Sequence, residues 1–290
     1  MRDFDEHNIT DSVIERFGNT PDPRLKAVIT SLVRHLHDFV RDVDLSFEEW
    51  RGAIDFLTRT GQMCSSTRQE FILLSDTLGI SMLVDAINHR QRGGATETTV
   101  LGPFFVADAP RQPLGADISG AAKGEPLYVT GSVASGDGTP LGNADIEVWQ
   151  SDSEGFYDVQ LSQDLNLRAG FKSDAQGRFR FWSILPSCYP IPYDGPVGDM
   201  LQATKRHPYR PAHVHFMISA PGYETLVTHV FVNGDRYLDS DAVFGVKSSL
   251  IRDFSHHPAG TAPDGRELTQ PWHALNYDFR LKQDISGKQR

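Results

Sequence analysis

The chain has 290 residues, 39% of them hydrophobic, which allows one large or two ordinary globular domains with a sizeable core. Acidic residues (38) outnumber Lys and Arg (28), for a formal net charge of -10; that excludes a general nucleic-acid binder, which needs a basic footprint, and gives an anionic substrate no long-range steering. Two cysteines exclude a disulfide scaffold, the amino terminus has no apolar run of the signal-peptide kind, and no stretch approaches ~18 apolar residues, so a protein of the reducing cytoplasm without a membrane span is expected.

Residues 1 to about 92 carry a helical pattern. Val28, Ile29, Leu32, Val33, Leu36, Phe39 and Val40 recur at the 3.6-residue period and form an apolar stripe. Ser46-Phe47-Glu48-Glu49 fits a capping box, in which two side chains satisfy the free amides of a helix start. Trp50, Ile54 and Leu57 follow at helical spacing, and Gly61 sits where a helix would stop. A second box, Ser66 to Gln69, opens a stretch through Leu78, and Ile80 to Asn88 continues the pattern after Gly79.

Around Arg92-Gly93-Gly94-Ala95 the period changes. Alternation takes over in Leu127-Val129-Gly131-Val133, in Ala144-Ile146-Val148, in Phe179-Phe181 and in Val227-His229-Phe231, with Gly, Pro, Asn and Asp between. The prediction is an α+β chain: a helical amino-terminal domain over 1–95, then an antiparallel β-sandwich over 96–290.

One further strand, in "RPAHVHFMI" (210–218), poses the functional question. Strand side chains alternate between faces, so His213, His215 and Met217 share one face while Val214, Phe216 and Ile218 share the other. Adjacent imidazoles on one face can reach a single metal ion, yet His-x-His leaves Zn, Cu, Fe and Ni all open. From the pair alone, a strand with its histidines in water accounts for the pattern equally well. Upstream, Tyr157 sits at a turn in "SDSEGFYDVQ" (151–160), and Tyr189 precedes a proline in "SCYPIPYDGPVGDM" (187–200). Either tyrosine alone reads as a packing residue with its hydroxyl in water.

Taken together and in this order, "GFYD", "SCYPIPYDGPVG" and "RPAHVHF" resemble the intradiol ring-cleaving dioxygenases, the catechol, chlorocatechol and hydroxyquinol 1,2-dioxygenases. "TVLGPFF" (99–105) and "GYETLVTHVFVNGDRYLDSDAVFGV" (222–246) belong to the same pattern. The resemblance implies a mononuclear non-haem Fe(III), one per subunit, held by Tyr157, Tyr189, His213 and His215, with O2 as co-substrate. The donor types suit that metal. A free phenol titrates near ~10, but a trivalent cation favours the phenolate, and two hard anionic oxygens stabilise ferric over ferrous iron. The resemblance also implies that Tyr189 leaves the metal and acts as a base, that Tyr157 stays bound, and that Arg210 stabilises negative charge on the substrate ring.

In the family the substrate pocket is lined by the domain junction, here Val100, Leu101, Gly102, Pro103 and Phe104, and by the last amino-terminal helices, here Leu73 and Asp76. The loop after the second tyrosine contributes Ile191 and Pro192, and the "DAVF" stretch contributes Val243; Arg210 and His229 complete the set. Asp76 is the polar exception in an apolar wall. A carboxylate there could accept a hydrogen bond from a third ring hydroxyl, which favours hydroxyquinol (1,2,4-trihydroxybenzene) over chlorocatechol or catechol as substrate. His229 stands where catechol-cleaving relatives usually carry glutamine, and it points to the same branch. The resemblance further implies a homodimer through the amino-terminal helices, where the family sometimes holds a phospholipid. The competing classes are a Zn or Cu cupin-like protein and a β-sandwich binding module without catalysis; both leave Tyr157 and Tyr189 without a role.

Overall fold

The computed structural model describes residues 3–65, 68–90, 94–161 and 165–284. The start of the second capping box, Ser66, and the Arg92-Gly93 part of the period change lie outside the described residues. The chain divides into two compact units, 1–62 and 63–290.

The first unit is helical: α1 (Ile9–Glu15), α2 (Pro23–Asp42) and α3 (Phe47–Met63). Asp22 caps α2 by accepting the Arg24 and Leu25 amides, and Pro23 at the first helical position has no amide that needs a partner. The Ser46 box forms as read: the Glu49 amide donates to Ser46 Oγ, and the Ser46 amide donates to Glu49 Oε2 at 2.9 Å. α3 runs past Gly61 to Met63, because one glycine costs a helix only about 1 kcal/mol. Thr10 Oγ1 and His37 Nδ1, 3.0 Å apart, tie α1 to α2.

The second unit opens with α4 (Glu70–Thr77) and α5 (Ile80–Asn88), joined at Gly79, whose φ of 74° suits a residue without Cβ. Its strands are β1 (Pro126–Ser135), β2 (Asp145–Gln150), β3 (Arg168–Lys172), β4 (Arg178–Ile184), β5 (Tyr189–Pro190), β6 (Tyr209–Arg210), β7 (His213–Ser219) and β8 (Leu226–Val232). Five more follow: β9 (Ile251–Arg252), β10 (Ser255–His257), β11 (Gly260–Thr261), β12 (Glu267–Leu268) and β13 (Trp272–Leu281). Short helices α6 (Asp158–Leu161) and α7 (Pro196–Ala203) interrupt them.

Two sheets, ordered β3-β2-β7-β8-β9 and β10-β13-β1-β4, enclose one apolar core. Val214, Phe216 and Ile218 of β7 enter it, and Phe216 meets Phe179 and Phe279 of the opposite sheet. Burying a side chain of that size contributes roughly 1.5–3 kcal/mol. The expected alternation therefore sends His213 and His215 to the other face. Two ladders of this sandwich are parallel, β1 with β13 and β8 with β9. β13 returns after a long excursion, so no hairpin dictates its direction.

Candidate active site

A tight turn after β2 and the pairing of β5 with β6 bring the chemistry to the outer face of β7. After β2, Asp152 accepts the amides of Glu154 and Phe156, a tight turn that ends at Tyr157. Gly155 lies within it at φ +90°, and a Cβ there would stand 2.8 Å from that of Tyr189. Asp158, next in sequence, is gripped by Arg168 of β3 in a buried ion pair with Nε–Oδ2 at 2.6 Å. The β5–β6 ladder then pairs Tyr189 directly with Arg210, and β7 begins three residues later.

Four donor atoms converge as a result. Tyr157 Oη lies 2.9 Å from His215 Nε2 and 3.3 Å from Tyr189 Oη, and His213 Nε2 lies 3.1 Å from His215 Nε2. All four side chains are buried. Burial, and then the neighbouring Tyr189, hold the Tyr157 phenol well above its ordinary value. Burial and the Arg210 charge pull His213 down to about 3, and burial pulls His215 in the same direction. Tyr157 and both imidazoles are thus neutral at pH 7 on their own. Two phenol oxygens and two unprotonated nitrogens, with no carboxylate among them, fit a small, highly charged, hard cation.

His229 shares the neighbourhood. One nitrogen from each of His213, His215 and His229 lies within 4.8 Å of the others. The His229 ring, however, stacks on His213 at 26°, and its Nδ1 faces the Arg210 guanidinium at 3.4 Å. Its Nε2 is buried without a partner, and the shorter convergence is the one that includes both tyrosines.

Most of the other residues singled out from the sequence divide between these donors and a separate apolar cluster. Leu73, Val100, Ile191 and Val243 join one apolar cluster with Val197, Leu201 and Ala242. Phe104 stacks on Tyr157 at 4.4 Å, and a Cβ on Gly102 would stand 3.3 Å from His215 Cε1. Leu101 and Pro103 are exposed, and Pro192 is half-buried. Asp76 is 4% exposed; burial raises its carboxyl above the usual range, against a bond from Ser81 and the Arg210 charge.

Sequence reading missed the groups behind that layer. Asp241 accepts from Arg210 Nε at 3.0 Å and is itself buried. It heads the "DAVF" stretch, so a search for the carboxylate that a buried arginine requires could have found it. Arg168–Asp158, and Trp149 stacked on His215, carry no signal along the chain.

Residues 100–283 match the family model described as "Dioxygenase", and residues 22–96 match "Catechol dioxygenase N terminus". A 6-chlorohydroxyquinol 1,2-dioxygenase of Cupriavidus pinatubonensis is 56% identical over 284 residues, 97% of this chain and 99% of its own. The chain belongs to the intradiol ring-cleavage dioxygenases. A hydroxyquinol 1,2-dioxygenase of Rhodococcus opacus is 53% identical, with 95% of this chain and 93% of its own length covered. The solved structure of hydroxyquinol 1,2-dioxygenase from Pseudomonas putida DLL-E4 matches with a TM-score of 0.90 at 49% identity, covering 96% of this chain and 99% of that one. Intradiol dioxygenases depend on non-haem iron and act on aromatic substrates, and the donor set above fits that metal. Among the described residues no helix is long and apolar enough to cross a membrane.

Proposed function

We propose that this intradiol dioxygenase opens the ring of hydroxyquinol with both atoms of O2, giving 3-hydroxy-cis,cis-muconate, equivalent to maleylacetate. The observation that carries the substrate is near-full-length similarity to enzymes named for hydroxyquinol and 6-chlorohydroxyquinol. Asp76 gives it a physical ground, as a buried carboxylate beside an apolar cluster and within the field of Arg210.

Tyr157, Tyr189, His213 and His215 would hold one Fe(III), which supplies a strongly polarising cation to the two adjacent substrate hydroxyls. Tyr189 Oη is then the acceptor for a substrate proton. Arg210, fixed by Asp241, stabilises negative charge spreading into the ring. Leu73, Val100, Ile191 and Val243 exclude water and face the ring, with Leu101, Gly102, Pro103, Phe104 and Pro192 completing the wall. Asp76 accepts from the third hydroxyl, and His229 steadies Arg210. A pocket that hydrogen-bonds a hydroxyl rejects substrates that lack it more strongly than an apolar one does.

In this reading residues 1–95 serve dimerisation, with a phospholipid between the helices, residues 96–290 carry the catalysis, and the enzyme works in the cytoplasm. The test compares ring-opening rates on hydroxyquinol, 6-chlorohydroxyquinol and catechol. Catechol turned over as fast as hydroxyquinol would defeat the substrate assignment. Asp76→Ala should lower activity on hydroxyquinol more than on catechol; equal losses remove Asp76 as selector. The purified protein should carry iron and a visible tyrosinate-to-iron band, and a colourless zinc protein would defeat the metal assignment.

A further inference from the structure

The two histidines assigned to the metal are held in different ways. Metal-bound imidazoles are ordinarily oriented by a hydrogen bond from the second ring nitrogen. His213 follows that rule: its Nδ1 donates to the Pro211 carbonyl at 2.7 Å, which leaves Nε2 bare toward the site. His215 does not. Its Nδ1 is buried and has no hydrogen-bond partner in the protein. No hydrogen bond at the nitrogen away from the site therefore orients this ring.

Packing takes over that task. Trp149 stands directly opposite His215 across the β2–β7 ladder, and its indole lies flat on the imidazole, with centroids 4.6 Å apart and 16° between planes. His229, opposite on β8, meets the ring edge-to-face at 4.1 Å. Gly102 closes on the Cε1 edge, where a Cβ would stand at 3.3 Å. Trp149 is itself immobilised, buried and braced edge-on by Phe105 at 5.2 Å. Its indole N–H has no partner either. An unpaired buried donor carries a cost, so the residue serves here through its flat face and not as a donor.

We infer that Trp149 is the positioning residue for His215, setting by ring stacking the imidazole plane that a hydrogen bond sets for His213. The inference rests on His215 being an iron ligand. It deepens that reading, because it names what holds Nε2 within 2.9 Å of Tyr157 Oη and 3.1 Å of His213 Nε2. Replacing the flat face by a rounded aliphatic side chain frees the ring to turn and draws Nε2 away from the metal. A phenyl ring keeps the flat face and removes only the unpaired N–H.

The test uses iron-loaded Trp149→Leu and Trp149→Phe, read by the visible tyrosinate-to-iron band and by the rate of iron loss to a chelator. Trp149→Leu is expected to shift the band and release iron roughly 10–100-fold faster, the scale seen when the groups that orient metal ligands are removed. Trp149→Phe should stay within about twofold of the unaltered protein. Trp182→Leu supplies the control: Trp182 is also fully buried, but on β4 of the other sheet, so its loss should lower stability and leave band and release rate alone. An unchanged band and release rate in Trp149→Leu overturn the inference, as does equal damage in Trp149→Phe. Should Trp149→Leu not fold, Trp149→Met, whose unbranched flexible side chain fills irregular gaps, takes its place with the same expected outcome. If the unaltered protein binds iron but shows no tyrosinate band, the metal assignment fails and the inference falls with it.

Discussion

At the scale of single residues, the chemistry depends on charges kept dry. Arg210 is 2% exposed, and Asp241 alone gives it a carboxylate at hydrogen-bond distance among the described residues. Removing one partner of a buried pair leaves the other uncompensated, so Asp241→Ala should cost about 3–5 kcal/mol in urea unfolding. The same variant should lower kcat more than it raises KM, because the guanidinium matters most when negative charge develops on the ring. Losses confined to KM would mean that Arg210 only binds substrate. His213 makes a second test. Its ring titrates at about 3 when folded and near ~6.5 when unfolded. Below pH 6.5 the unfolded chain therefore takes up a proton that the folded chain refuses. The stability tied to this neutral ring is complete above that pH and is lost as pH falls toward 3. Metal-free protein should lose roughly 1.4 kcal/mol per pH unit from this group between pH 6 and 4, and His213→Asn should flatten that slope. A slope unaltered by the substitution would mean that His213 is not a buried neutral ring.

At the scale of elements, α7 is pinned from a distance. Glu70, fully buried at the start of α4, accepts the Val197 amide in the first turn of α7 and pairs with Arg68 through Nε at 3.0 Å. The bond fixes α4, which bears Leu73 and Asp76, against the helix that follows the Ile191–Pro192 loop. Glu70→Ala removes a charged acceptor and should cost about 1.5–3 kcal/mol. It should also raise KM for the aromatic substrate while the visible band stays in place, because no proposed metal donor touches Glu70. A shifted band would show that the pin acts on the tyrosine loops instead. Single helices and strands were largely legible at this scale, since the Ser46 box and the alternation in β7 are local signals that tertiary packing did not override. β3 was not legible, because its central Ala169 and Gly170 interrupt any run of bulky residues. β13 alternates, but its pairing with β1 lies more than 100 residues away in the chain and no turn signal announces it.

At the scale of the molecule, the first unit leaves a stripe of Leu25, Val28, Leu32, Leu36 and Phe39 along α2 in solvent, each at least two-fifths exposed. Exposed apolar stripes mark interaction sites, and we propose a second copy of the chain as the occupant of this one. Leu32→Lys with Leu36→Lys should yield a monomer by sedimentation with unchanged helix content, whereas a dimer that survives would place the interface elsewhere. The sequence by itself determined the helix-then-sheet order, the face of β7 that carries His213 and His215, and, through motifs in register, the family and its four proposed donors. The element order and the strand face are properties of spacing along the chain, whereas the family and its donors come from the resemblance that several motifs carry together. Only the tertiary structure decided what stands behind the donors: Asp241 against Arg210, Arg168 against Asp158, Trp149 under His215 and Glu70 at the foot of α7. Each of those contacts joins different elements that strand pairing and packing bring together, because a buried charge or an unanchored ring takes its partner from whatever the fold brings near.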